Sequence, residues 1–491
     1  MTRHCLLAAA SCAFVLATAA PPVEASARTS TRRPGIDAPA GPLTEPSAGD
    51  AGDPSRRTLS RVHDPVVLTG RSLATLATRE TSHLRLVRFD HGKPVAMPFQ
   101  FDQRDRRDDL VVPGPEAFAL DDNDELVFMA KDAGDRATGD LCAETACDGA
   151  LEIRVAEPSG ARQAWAYLLE YREPPPPGRS DPYVTFDDDG RLARSNAYAV
   201  EYARGRNYFT GMSVGPAAGG AGSNLLRQTH MIGSPTFDLL LSNVTLNFTE
   251  QNSIVEIDGV REGPVRAVRR ARLSVDMGPM FPDLPSGIAY TYHYPTAYLT
   301  PSKVSFPWLM VKTLRDFRFE TVMDLAPVGG RPARYFDAAN PGGVSLAGDG
   351  PVMRTSDDHD WWVYSSDAGT MLHAFEIPDL WKQWGIVRGA VVRPTGEDPG
   401  VAREAKDGKD AENESPGTAV AEAATPPADE PRDGGRSVGY SLLHMTKLRE
   451  AGTFDLMMAS VVLPGPYRAG DEAGALAMLH APLATEVRRV H

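Results

Sequence analysis

The chain reads as an all-β protein: an antiparallel β-sandwich architecture, in two strand-rich blocks with few short helices. Three observations predict this. Apolar and polar residues alternate with a period of two over many short segments, turn residues punctuate them, and no long helical pattern intervenes. Strands without alternating long helices belong to antiparallel sandwiches rather than to a parallel α/β fold.

The N-terminal block, 61–173, opens with a hairpin. His83-Leu-Arg-Leu-Val-Arg-Phe89 and Pro94-Val-Ala-Met-Pro-Phe-Gln-Phe101 flank a turn at Asp90-His-Gly-Lys93, where Gly92 supplies the bend. Leu126–Ala130, Leu151–Val155 and Trp165–Tyr171 follow as strands, and Pro174–Pro177, within a connector at 174–182, forms a stiff extended link. The larger block is expected at 183–394 plus 437–491. Its strands are Tyr183–Phe186, Ala197–Tyr202, Thr236–Phe248, Ile254–Ile257, Val265–Val275, Ile288–Leu299, Leu314–Asp324, Trp361–Tyr364 and Thr370–Glu376. Pro378–Trp384 is a short helix with Trp381 and Trp384 on one face. Ser437–Leu443, Thr453–Leu463 and Leu483–Val490 close the sheets.

The first residues set the compartment. A basic start at Arg3, an apolar run from Cys5 to Ala20 and the small-residue exits Ala17-Thr-Ala19 and Ala25-Ser-Ala27 describe a secretory signal over 1–27. Cleavage at Ala9-Ala-Ser-Cys12 would leave Phe14-Val-Leu16 exposed, which argues against a lipoprotein. The apolar run is too short to span a bilayer, and no later stretch is a transmembrane span. An exported, periplasmic or extracellular protein is therefore expected. Residues 28–60, rich in Pro, Ala, Gly and Ser, read as a disordered tether. The same holds for the insert 395–436, which carries eleven acids against five bases.

With 491 residues and 42% apolar content, the chain can fill a large core. Its net charge of -14 offers no basic stripe and argues against nucleic-acid binding. Cys5 and Cys12 leave with the signal. Cys142 and Cys147, five apart, are expected to form a disulfide, because structural zinc needs four ligands.

Several motifs bear on function. Gly211-Met-Ser213-Val-Gly215 matches the nucleophile-elbow pattern, but Pro216-Ala-Ala-Gly-Gly-Ala-Gly222 cannot form the helix it needs, so a glycine loop is expected. Asp122 and Asp124, in Asp121-Asp-Asn-Asp-Glu125, are candidate calcium ligands, set against a polar turn capping its own backbone. Asp357-Asp-His-Asp360 is read as a solvated loop in preference to a transition-metal site. Tyr290, Tyr292 and Tyr294 share one face of a strand, with His293 on the other. Such a row stacks sugar rings when exposed and fills a core when buried. Tyr290, Tyr292, His293 and Arg266 are the candidate ligand-binding residues. Asp316 and Glu320 share a strand face about 13 Å apart, too far for a glycosidase pair at about 5–9.5 Å.

Four stretches carry a resemblance. They are Met97-Pro-Phe-Gln-Phe-Asp-Gln-Arg104, Asp122-Asn-Asp-Glu-Leu-Val-Phe-Met-Ala130, Trp165-Ala-Tyr-Leu168 with the proline run and Tyr183-Val184, and Gly263-Pro-Val-Arg266. In order and spacing they resemble a set of uncharacterised exported bacterial β-rich proteins. The first two also resemble β-sandwich proteins placed near bacterial polysaccharide utilisation. The resemblance implies an exported β-rich protein inclined toward glycans, and it implies no catalytic residue. Three functions follow as expectations. The first is non-catalytic binding of a glycan or an envelope protein. The second is a carbohydrate-active enzyme of the lyase or mutarotase type, using His293, Tyr292, Arg266 and Glu320. The third is a calcium-stabilised module.

Overall fold

A computed structural model describes residues 53–490, apart from 77–78, 177, 179, 188, 240–241, 276–283, 327–329, 331, 348–351 and 396–434. The signal, most of the tether and nearly all of the acidic insert lie outside the described residues. The fold is all-β with few short helices, built from antiparallel sheets.

In the N-terminal block a three-stranded sheet, ordered Pro65–Thr69, Glu125–Met129, Gln100–Asp102, packs on a five-stranded one. Leu68, Leu126 and Phe128 from the first meet Leu84, Leu86, Ile153 and Leu168 from the second. The predicted hairpin forms between Leu84–Asp90 and Lys93–Ala96. His91 (φ 51°) and Gly92 (φ 76°) both adopt the left-handed conformation that a two-residue turn requires.

Two expectations about this block are corrected. Residues 53–60, assigned to the tether, lie on the block instead: the Thr58 and Leu59 amides donate to the Gln163 carbonyl, and Leu59 is buried. One apolar anchor and a row of backbone bonds outweigh the polar composition around them. The last strand, Ala484–Val490, was assigned to the large block but pairs with Gly149–Ala156 in the five-stranded sheet. Its alternation suits any sheet, and the open edge of Gly149–Ala156 decides which one takes it.

The large block is a sandwich of a seven-stranded and a nine-stranded sheet. Phe317, Val438, Tyr440 and Leu442 of the first interdigitate with Trp362, Met371, Phe375 and Val462 of the second. The predicted helix forms at Asp379–Trp384, buries Trp381 and Trp384 in this core, and ends on Gly385 (φ 78°). The strand expected at Thr236–Phe248 begins earlier, as Leu226–Leu239, and turns back as Ser242–Thr245. Val387–Pro394 and Arg436–Leu443 pair as far as Pro394 opposite Arg436, so the insert joins two neighbouring strand ends.

A four-stranded sheet holds Ser213 inside strand Phe209–Val214, opposite Ala199. A single 3-10 turn, Pro216–Ala218, follows it, so no elbow forms. Cys142 and Cys147 are disulfide-bonded across the short helix Leu141–Thr145, whose N-terminus Asp140 caps. Among the described residues no helix is long and apolar enough to cross a membrane.

Candidate functional site

The strand Leu284–Tyr294 carries most of the predicted ligand residues, and its two faces meet different surroundings. The tyrosine face closes onto the N-terminal block. Arg266, 2% exposed, donates to Asp102 at 2.9 Å, to Glu125 at 2.5 Å and to the Tyr294 hydroxyl at 3.1 Å. Its guanidinium lies 4.8 Å from the Tyr292 ring, and Arg104 donates to Glu125 at 2.7 Å. The Tyr290 hydroxyl donates to Asp109 at 3.1 Å and accepts from the Leu110 amide at 3.2 Å. Burial disfavours the charged Glu125, but Arg266 and Arg104 outweigh it and hold this carboxyl below the usual range.

Three of the four resembling stretches converge here. The Gln100 side chain accepts from the Val265 and Arg266 amides, and a Cβ on Gly263 would stand 2.3 Å from that same oxygen. Glycine is required there because the two blocks approach backbone to side chain. The recognisable motifs therefore form the lock between the blocks.

The opposite face is uncharged at His293. This ring is fully buried, with Tyr202 Oη 2.9 Å from Nε2 and Tyr198 Oη 3.2 Å from Nδ1. Burial, with the nearby Arg269, pushes its pKa down to about 3, so it stays neutral. His293 and Arg266 are thus buried and Tyr290 and Tyr292 partly buried, each with partners inside the chain.

A second polar cluster lies on the outer face of the seven-stranded sheet. Leu226–Leu239 and Leu314–Leu325 pair with His230 opposite Val322 and Ile232 opposite Glu320. Alternation along the second strand sends Phe317, Met323 and Leu325 into the core and Glu320, Val322 and Asp324 to the opposite face, where they too are buried. Glu250 reaches this face from a 3-10 turn fixed by a capping box between Thr249 and Asn252. His230 then sits between two carboxylates: Nδ1 is 2.9 Å from Glu250 and Nε2 is 3.0 Å from Asp324. Ser437 donates to the other Asp324 oxygen at 2.5 Å. Burial opposes protonation of His230, but the hydrogen bonds to Asp324 and Glu250 push its pKa up to about 9. Both ring nitrogens donate, so the group is an imidazolium at neutral pH.

Farther along the same face, Glu320 is 1% exposed and lies 3.4 Å from Arg354 and 3.5 Å from Arg393. Among the described residues neither of its oxygens finds a hydrogen-bond partner. The Arg354 side chain is 45% exposed, so a guanidinium open to water covers a carboxylate with unused lone pairs. Asp316, by contrast, is exposed and stands opposite Thr236. His230 lies before the strand start that the sequence suggests at Thr236, and Glu250 lies on a short turn beyond that strand. The one local clue was the capping pattern Thr249-Glu-Gln-Asn252 before an alternating run.

The calcium candidates do not come together. The Asp124 oxygens accept from the Arg104 and Asp121 amides, at 2.8 and 2.7 Å, while exposed Asp122 pairs with Arg79 at 3.4 Å. The cluster is a backbone-capping turn. His359, placed by sequence in a solvated loop, is instead buried and paired with Asp337 at 3.3 Å. Among the described residues the most exposed large apolar side chain is Trp308, at 65%, on the helix Trp308–Thr313.

No family model matches the chain, and no curated protein matches it. Among solved structures it is similar to a protein in glycosyl hydrolase family 38 from Enterococcus faecalis, with 7% identity and a TM-score of 0.43. That alignment covers 89% of this chain and 46% of the other. It is likewise similar to an α-mannosidase from Enterococcus faecalis, with 9% identity and a TM-score of 0.43, over 89% of this chain and 45% of that one. The chain spans less than half the length of either protein.

Proposed function

We propose that this is an exported, non-catalytic glycan-binding protein whose ligand face is the outer face of the seven-stranded sheet. The observation that carries this reading is Glu320: a buried carboxylate with no hydrogen bond to either oxygen among the described residues, beneath the half-exposed Arg354. Sugar hydroxyls present donor and acceptor side by side, and a carboxylate beside a guanidinium answers both.

The test is binding to a panel of cell-wall and extracellular polysaccharides. Saturable binding that Glu320→Gln or Arg354→Ala weakens at least tenfold supports the reading. Absence of binding across the panel overturns it.

One observation favours a second reading, acid–base chemistry on a sugar. The imidazolium of His230 and the carboxylates of Glu250, Asp324 and Glu320 share one face. Of the residues named for that role from sequence, only Glu320 lies on this face. Turnover of any panel member that Glu320→Gln abolishes would move the assignment from binding to catalysis.

A further inference from the structure

We propose that Asp360, Glu376 and His480 form a binding site for one divalent first-row transition-metal ion. The three come from separate elements: the residue before strand Trp361–Ser366, the last residue of strand Gly369–Glu376 and the last residue of helix Glu472–His480. Pairing of the two strands sets Asp360 beside Glu376, since the Phe375 amide donates to the Asp360 carbonyl at 2.9 Å. Ala475 and Met478 seat the helix on the nine-stranded sheet and bring His480 over both carboxylates.

The spacing suits a small ion. His480 Nε2 is 2.9 Å from Glu376 Oε1 and 3.6 Å from Asp360 Oδ2, and one ligand atom from each residue lies within 4.8 Å of the others. Ligands at about 2.0–2.1 Å around a tetrahedral ion stand roughly 3.4 Å apart, which the two separations from His480 already approach.

Charge points the same way. Among the described residues, Asp358, Asp360, Glu376 and Asp379 face Arg388, Lys382 and His480, which with His480 as a neutral ligand leaves two negative charges for a divalent ion to neutralise. An imidazole with two carboxylates selects zinc, manganese or ferrous iron over calcium or magnesium, which take oxygen alone. The three side chains are 37%, 20% and 39% exposed, so water can complete the coordination.

A second triad, Asp90, His91 and Asp135, lacks this room. Arg56 lies 3.0 Å from His91 Nδ1 and 2.8 Å from Asp135, so a cation already holds two of its three residues.

The experiment is calorimetric titration of untagged, chelator-treated protein with ZnCl2 and MnCl2, with CaCl2 as the control and melting temperature as a second readout. One zinc ion per chain is expected, with a rise in melting temperature and no effect of calcium. His480→Ala and the isosteric Asp360→Asn should each weaken binding at least tenfold, and His91→Ala should leave it unchanged. Asp360→Asn keeps the test open if His480→Ala fails to fold. No saturable zinc binding, full binding by Asp360→Asn, or loss with His91→Ala would overturn the site.

Discussion

Two buried charged clusters in this protein differ in how completely their groups are used. In the lock between the blocks, Arg266, Arg104, Asp102 and Glu125 satisfy one another at hydrogen-bond distance. On the outer face of the seven-stranded sheet, His230 is equally well held, but Glu320 beside it has cations near and no hydrogen bond. A closed network fixes geometry, whereas an incomplete one leaves recognition chemistry to spare. The lock is where the motifs are recognisable, and the incomplete cluster is the ligand face we propose.

The largest effect should come from breaking the closed side. Arg266→Ala strands Asp102 and Glu125 without their main cation, and about 3–5 kcal/mol of stability should be lost in denaturant titration. A loss under 1 kcal/mol would mean that the lock is looser than its geometry.

The pH dependence separates the clusters by sign. His230 has its folded pKa raised to about 9, so its contribution is fully present below pH 6.5 and is lost as pH rises from there to 9. That loss amounts to at most about 3 kcal/mol, and His230→Gln should abolish the alkaline slope. His293, on the neutral face behind the lock, has its folded pKa lowered to about 3. The unfolded chain takes up the proton that the fold refuses, so stability falls as pH drops below 6.5, by about 1.4 kcal/mol per unit. His293→Phe should reduce that acid slope, with buried His63 and His373, whose pKa values fall to about 4 and about 3, carrying the rest, even if it costs stability at neutral pH. Stability curves for both variants from pH 4 to 10 check the pair, and a slope left unchanged in either breaks the assignment.

A smaller effect belongs to neither cluster and calibrates both. Replacing Cys142 and Cys147 by serine should cost about 2 kcal/mol, because the closed loop is short. It should leave polysaccharide and zinc binding intact.

Much of this was legible in the chain. The period-two pattern gave the strands, Asp90-His-Gly-Lys93 its hairpin, and the spacing of Cys142 and Cys147 their bond. The alternation along Tyr290–Tyr294 correctly set the tyrosines on one face and His293 on the other. It could not say that both faces would be covered, because alternation sorts side chains between two faces without saying what packs on either.

The sequence by itself determined the local geometry: which segments are strands, where they turn, and which side chains share a face. Those are properties of a few consecutive residues. Only the tertiary structure decided that Ala484–Val490 crosses to the first block, that Gly263 must meet Gln100, and that His230 finds Glu250 and Asp324. Contacts between residues distant in the chain depend on how whole sheets dock, and no short window of residues carries that information.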